Sequence, residues 1–298
     1  MVERTTQKKG RDWPSFESLP VSKGLLTTAG PLILLETLFF IGPVAIMFFI
    51  ATMRMESLVL IPDYGIRNFV AVFGDFVNRT AFVNTTTIAV LTTVTAGVVA
   101  YPIAYYIARF GGAYKNQLAV LVMVPFWTNF IVRVYGWKII LGSQGVVNST
   151  LMMVGVINEP LGWLINTKFS IWLGLTYLWL PFMILPLYSS LEKIEDEVIE
   201  AAYDLGASRF AVFRRIVLPL SISGLVGGII FVFIFSMGAY IVPAMLGGGE
   251  LFVGTRIAYE FGIGGDWPMG AALGSVLMLV VVGVLWSLMG YVDLEEMF

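Results

Sequence analysis

The chain has 298 residues, 58% of them hydrophobic and only 13% charged, with a net charge of −2. Such a composition excludes an ordinary soluble domain and fits a chain that crosses a membrane several times. It contains neither cysteine nor histidine, which excludes disulfides, thiolate or zinc sites and imidazole proton relays; no basic block with interleaved aromatics points to nucleic acid.

Residues 1–30 read as a polar tail carrying Arg4, Lys8, Lys9, Arg11 and Lys23. A polar run of that length is not the charged-then-apolar pattern of a secretory signal. Six apolar stretches follow, at 31–53, 82–108, 117–141, 169–189, 220–246 and 268–291. Each is about long enough for a hydrocarbon core of ~30 Å, and helices are required because lipid offers the backbone no partners. The fold class read from this is an all-α integral membrane protein with about six transmembrane helices. Residues 31–81 would hold the first helix and an external loop, 82–291 the other five helices, and 292–298 a short tail. The third stretch is interrupted by Pro125, Asn129, Arg133 and Lys138, and Pro102, Pro181, Pro186 and Pro243 are expected to kink or end their helices.

With the N-terminus inside, eleven of the 18 Lys and Arg residues fall in inner segments, which places both termini in the cytoplasm. The outer loops contain glycine-rich turns at 247–249 and 262–265, but no phosphate-binding Gly-Lys pair occurs anywhere. An ATP-driven process would therefore need a separate ATPase.

The loop at 192–219 is the most charged part of the chain, yet its apolar positions persist. Ala202, Leu205, Phe210, Phe213 and Val217 recur at spacings of three to five, the pattern of short amphipathic helices. Gly206 is placed to interrupt such a helix, and Pro219 to open the next one at its first turn. Glu200-Ala201-Ala202, then Gly206, then Ile216-Val217-Leu218-Pro219 at fixed spacing resembles the cytoplasmic loop of the membrane subunits of bacterial ABC importers. That resemblance implies the type I importer membrane-subunit architecture and a coupling helix docked on a separate ATPase. Glu200, Arg209, Arg214 and Arg215 would contact the ATPase, Ala201, Ala202 and Gly206 would allow close packing, and Pro219 closes the pattern.

The second informative stretch is 125–138, Pro-Phe-Trp-Thr-Asn-Phe-Ile-Val-Arg-Val-Tyr-Gly-Trp-Lys. Polar side chains at membrane depth face the protein interior or a wet cavity, so Trp127 and Asn129 are assigned to a transport pathway. Trp137 fits an interfacial aromatic belt equally well. This stretch resembles the spermidine/putrescine-type permeases, as do Leu180-Pro181-Phe182-Met183, Met245-Leu246-Gly247-Gly248 and Asp266-Trp267-Pro268.

A polyamine calls for aromatic faces and carboxylates. Trp127, Tyr177, Trp179 and Tyr240 are candidates for the first, and Asp266, Glu36 and Glu260 for the second. Helix packing accounts for each aromatic equally simply, and Asp266 is also well placed to cap the sixth helix. The importer resemblance implies these partners: a second related permease, two copies of an ATPase that binds ATP and magnesium, and an external solute-binding protein. It also implies a bacterial inner membrane location. No catalytic or metal residue and no resident cofactor is expected. The rival readings are an ion-gradient-driven secondary transporter of small organic cations, which would not need the loop pattern, and an importer subunit for a different small solute.

Overall fold

The computed structural model describes residues 23–289, so positions 1–22 of the predicted 1–30 tail and the short tail at 292–298 lie outside the described residues, while positions 23–30 of that tail are helical. Two units divide at residue 46. The first contains α1 (Lys23–Glu36), a π-helical turn at Thr37–Ile41 and the start of α2 (Gly42–Ala51). In the turn the Gly42 amide bonds back to the Thr37 carbonyl, one residue further than in an α-helix. Pro43 follows directly, and a widened turn relieves the clash of its ring with the preceding turn.

The second unit opens with a hairpin, β1 (Arg54–Glu56) and β2 (Val59–Ile61), in which Arg54 pairs with Ile61 and Glu56 with Val59. Ser57 and Leu58 turn it with φ of 51° and 63°, as a two-residue turn of this hand requires. Next come α3 (Arg67–Gly74) and α4 (Phe76–Phe110), then α5 (Lys115–Met123), which runs into a 3₁₀ turn at Val124–Trp127. The chain then bends by 83° before α6 (Phe130–Leu141) and α7 (Val146–Met153). The long helix α8 (Lys168–Glu192) leads to α9 (Asp196–Asp204) and α10 (Arg209–Val212). A second π turn at Phe213–Val217 and α11 (Leu218–Leu220) continue α10. The rest is α12 (Ile222–Met237), α13 (Ile241–Leu246), α14 (Val253–Phe261) and α15 (Trp267–Met289).

Four helices are long and apolar enough to cross a membrane among the described residues, and six spans result if each sharply bent pair counts as one. The fourth and sixth predicted stretches match α8 and α15 to within a few residues. The second is longer than predicted, since α4 has 35 residues and a rise of 1.5 Å per residue takes it well past a ~30 Å hydrocarbon core.

Three expectations change. The third stretch is two helices at a steep angle, because Pro125 withholds a backbone donor and Asn129 restarts the chain as the cap of α6. The fifth ends as a helix at Met237, with Gly238–Tyr240 left outside α12 and α13. Pro102, Pro181 and Pro186 sit inside helices that continue through them.

The core is a tight packing of α4, α8 and α12. Ala96, Ala100 and Ala104 are fully buried on one stripe of α4 and meet Met183 and Leu187 of α8. Small residues every fourth position let helix backbones approach closely where lipid supplies no hydrophobic drive. On α12, Gly224 faces the Pro186 carbonyl and Ser190, and Gly228 faces Met183. A second cluster joins Ala51, Val72, Ala271 and Leu273 at the contact of α3 and α15. There Asn68 Nδ2 donates to the Ala51 and Met53 carbonyls at 2.9 and 2.7 Å.

Candidate functional site

The loop between α8 and α12 is built as a rigid helical element. Helix α9 carries Asp196 and Glu197 in its first turn, where carboxylates complement the helix dipole. Its other end is closed by Gly206, at φ 81°, whose amide bonds to the Tyr203 carbonyl at 2.8 Å while the Ala207 amide bonds to Ala202 at 3.0 Å. These are the paired bonds of a glycine-terminated helix, which call for a left-handed residue. Ser208 then caps α10 by accepting from the Ala211 amide at 3.3 Å.

Pro219 does not open the next helix. It lies near the end of the continuous run Arg209–Leu220, accommodated by the π turn in which the Leu218 amide reaches the Phe213 carbonyl. The next long helix starts at Ile222 after a 62° bend.

Phe213 and Val217 are the inner face. The Phe213 ring lies edge-on to Tyr101 and Tyr105 of α4, at centroid distances of 5.5 and 6.5 Å, and Val217 is buried. Leu205 and Phe210, read from spacing as part of the same apolar face, instead point outward, 88% and 70% exposed. Glu200, Ala201, Gly206, Arg209, Arg214, Arg215 and Pro219 are exposed around them, and Ala202 is half-buried. The loop therefore presents one surface on which two large apolar side chains stand among charges. A lone apolar residue directly before a helix-ending glycine was the available signal for Leu205. Two ion pairs fasten the loop's base, Lys115 Nζ to Glu192 Oε1 and Arg109 Nη1 to Asp196 Oδ1, both at 2.6 Å.

The second candidate region is an aromatic ladder of the 3₁₀ turn and α6 along α8. Phe126 meets Phe182 at 5.1 Å, Phe130 stacks on Trp179 at 5.9 Å, and Trp137 meets Tyr177 at 5.4 Å. The Arg133 guanidinium lies 5.2 and 5.8 Å from the Phe126 and Phe130 ring centres. Its Nε is enclosed without an acceptor, as is Trp179 Nε1. An open cavity of about 460 Å³ is lined by Phe130, Trp179, Phe235, Tyr240 and the backbone around Gly238.

Of the predicted pathway residues, Trp179 and Tyr240 meet at this cavity. Tyr177 belongs to the ladder beside it. Trp127 is 75% exposed and outside its lining. Asn129 accepts from the Ile131 amide at 2.8 Å and caps α6. Asp266 accepts from the Met269 amide at 3.1 Å, so it caps α15 instead of facing the cavity. Glu260 is buried and paired with Arg256, which also donates to Asn78. Burial raises the Glu260 carboxyl above its ordinary range, against the opposing pull of Arg256.

Residues 100–293 match the family described as "Binding-protein-dependent transport system inner membrane component". The chain belongs to that family. The spermidine/putrescine transport system permease protein PotB of Haemophilus influenzae is 39% identical over 205 residues, 67% of this chain and 71% of that protein. The inner membrane ABC transporter permease protein YdcU of Escherichia coli is 34% identical over 233 residues, 74% of each chain. Among solved structures, a bacterial ABC transporter that imports the acidic polysaccharide alginate superimposes with a TM-score of 0.68 at 18% identity. That match covers 92% of this chain and 98% of the other. The MetNI methionine ABC transporter matches with a TM-score of 0.53 at 20% identity, over 70% of this chain and 91% of that one. This permease is thus a mostly helical transport component of the inner membrane with the fold of ABC importer membrane subunits, working with a binding protein.

Proposed function

We propose that this permease forms half of the translocation pathway of an ATP-driven polyamine importer. It pairs with a second related permease, two copies of an ATPase and an external binding protein, with both of its termini in the cytoplasm. ATP and magnesium belong to the ATPase. The observation that carries the reading is the α9–Gly206–α10 element, a rigid surface that holds Leu205 and Phe210 out for a partner. The likeness to the PotB proteins over two-thirds of the chain supports the polyamine assignment. ATP-driven closure of the ATPase pair pushes this element, and rigid-body motion of the attached helices opens the pathway.

Purification from mild detergent is expected to bring down an ATPase and a second permease, and the complex in liposomes to take up labelled putrescine or spermidine when given ATP. A chain that purifies alone and transports without ATP would overturn the reading in favour of a gradient-driven transporter.

One observation favours the rival solute. The cavity lining contains no carboxylate, and the nearby charge is the Arg133 cation against Phe130. Aromatic faces then make this chain's contribution to cation binding. Tyr240→Ala is expected to raise the half-saturating putrescine concentration about 2- to 30-fold, the range of one cation–π contact, with assembly unchanged. An unaltered putrescine curve, or loss of assembly, would remove Tyr240 from the pathway.

A further inference from the structure

The two ion pairs at the base of the loop are not equivalent. In the Lys115–Glu192 pair both side chains are partly exposed. In the other pair Arg109 retains 10% of its side-chain exposure while Asp196 retains 80%. Arg109 Nε and Nη2 are enclosed with no acceptor, so Asp196 is the guanidinium's one bonded partner. A buried cation loses heavily when its single partner is removed, whereas an exposed carboxylate gains little from the same contact. The pair therefore matters chiefly to the end of α4.

That helix is unbroken from Phe76 to Phe110. Its other end is tied to the chain beyond α13, where Asn84 Nδ2 donates to the Leu251 carbonyl at 3.0 Å and Asn78 accepts from Arg256. A displacement at Arg109 is thus carried along a rod to the segments at the opposite end.

We propose that Arg109 is a positioning residue of energy coupling. Through Asp196 it holds the first turn of α9 to α4, so that movement of the loop becomes movement of the core. The proposal rests on the importer reading above.

The test uses the assembled importer in liposomes, with labelled putrescine taken up per ATP hydrolysed as the readout. Asp196→Asn removes the charge but keeps an oxygen at the same position that can still accept from Arg109 Nη1. It is expected to retain the ATPase subunit and ATP hydrolysis but to lose about tenfold in uptake per ATP, within the usual range of coupling between sites. Asp196→Glu keeps the charge and is expected to restore the ratio. Glu197→Gln alters the same first turn without touching Arg109 and is expected to leave the ratio unchanged.

A wild-type ratio in Asp196→Asn overturns the proposal, and so does an equal fall in Glu197→Gln. Loss of the ATPase subunit from Asp196→Asn also overturns it, because the pair would then serve docking instead of transmission.

A second measurement does not depend on the solute. The chain lacks cysteine, so nitroxides at Phe110→Cys and Val198→Cys report the α4–α9 distance. In Asp196→Asn that distance is expected to broaden and to lose its response to ATP; an unchanged distribution overturns the proposal. Failure of the importer reading looks different: the wild-type chain then brings down no ATPase at all.

Discussion

Leu205→Asp is expected to abolish uptake and detach the ATPase while the protein remains folded in the membrane. Leu205 is 88% exposed and follows the last residue of α9, so the chain's own fold loses almost nothing when it changes. Surface substitutions of this kind stay within about 0.5 kcal/mol. Docking is a different matter. Burying a leucine against a partner contributes about 1.5–3 kcal/mol. Placing an unpaired carboxylate in the same contact adds a desolvation cost of several more. Together these correspond to a loss of docking affinity of at least about 100-fold. Gly206→Asp is expected to act in the same direction, since a side chain there meets nothing within the protein and the φ of 81° is strained for it. The checks are co-purification of the ATPase, putrescine uptake and the amount of chain in the membrane fraction. Wild-type uptake in Leu205→Asp would show that this surface is not the docking face.

The second large effect lies in the core and contrasts two glycines of one helix. In Gly224→Ala the new methyl would stand inside the contact radii of the Pro186 carbonyl and Ser190. Neither the backbone oxygen nor the short serine can withdraw far, so α8 and α12 must separate. Overpacking of this kind costs about 1–3 kcal/mol, seen as a lower melting temperature in detergent and less protein in the membrane. At Gly227 the same methyl meets only the Pro186 side chain, at 3.7 Å, which is ordinary contact. Gly227→Ala is expected to leave melting unchanged or raise it slightly, since alanine is the better helix former by up to about 1 kcal/mol. Equal behaviour of the two variants would mean that α8 and α12 are not packed as described.

The long apolar spans were legible because twenty-odd apolar residues admit one solution in lipid. α8 and α15 follow directly from that rule. The loop was legible for a different reason: residues 200–219 combine fixed spacing with a helix-ending glycine, and Gly206 occupies that role. Direction was what the pattern withheld. Leu205, Phe210, Phe213 and Val217 are all apolar at helical spacing, and the chain alone does not tell an inward phenylalanine from an outward one.

Among the pathway candidates, Asn129 and Asp266 are polar residues at helix starts. Capping and solute contact ask for the same side chains, and the structure uses both as caps. The break after Trp127 was foreshadowed by Pro125, yet its angle depends on how α6 lies along α8, a long-range matter. Arg109 drew no attention because its environment is made by Asp196, 87 positions away.

The widened turn at Phe213–Val217 has a consequence for how this loop tolerates change. A π turn holds one residue more than the α-helical turn it replaces, and each helical residue advances the azimuth by about 100°. The turn therefore sets the phase between the outward Phe210 and the inward Val217. Deleting one residue there would close it to an ordinary α-turn with Phe210 and α12 kept in nearly the same phase, whereas a second deletion would swing Phe210 around the axis by about 100°. Every residue of the proposed docking face would still be present, but aimed elsewhere. In this segment the count of residues carries information that their identities do not.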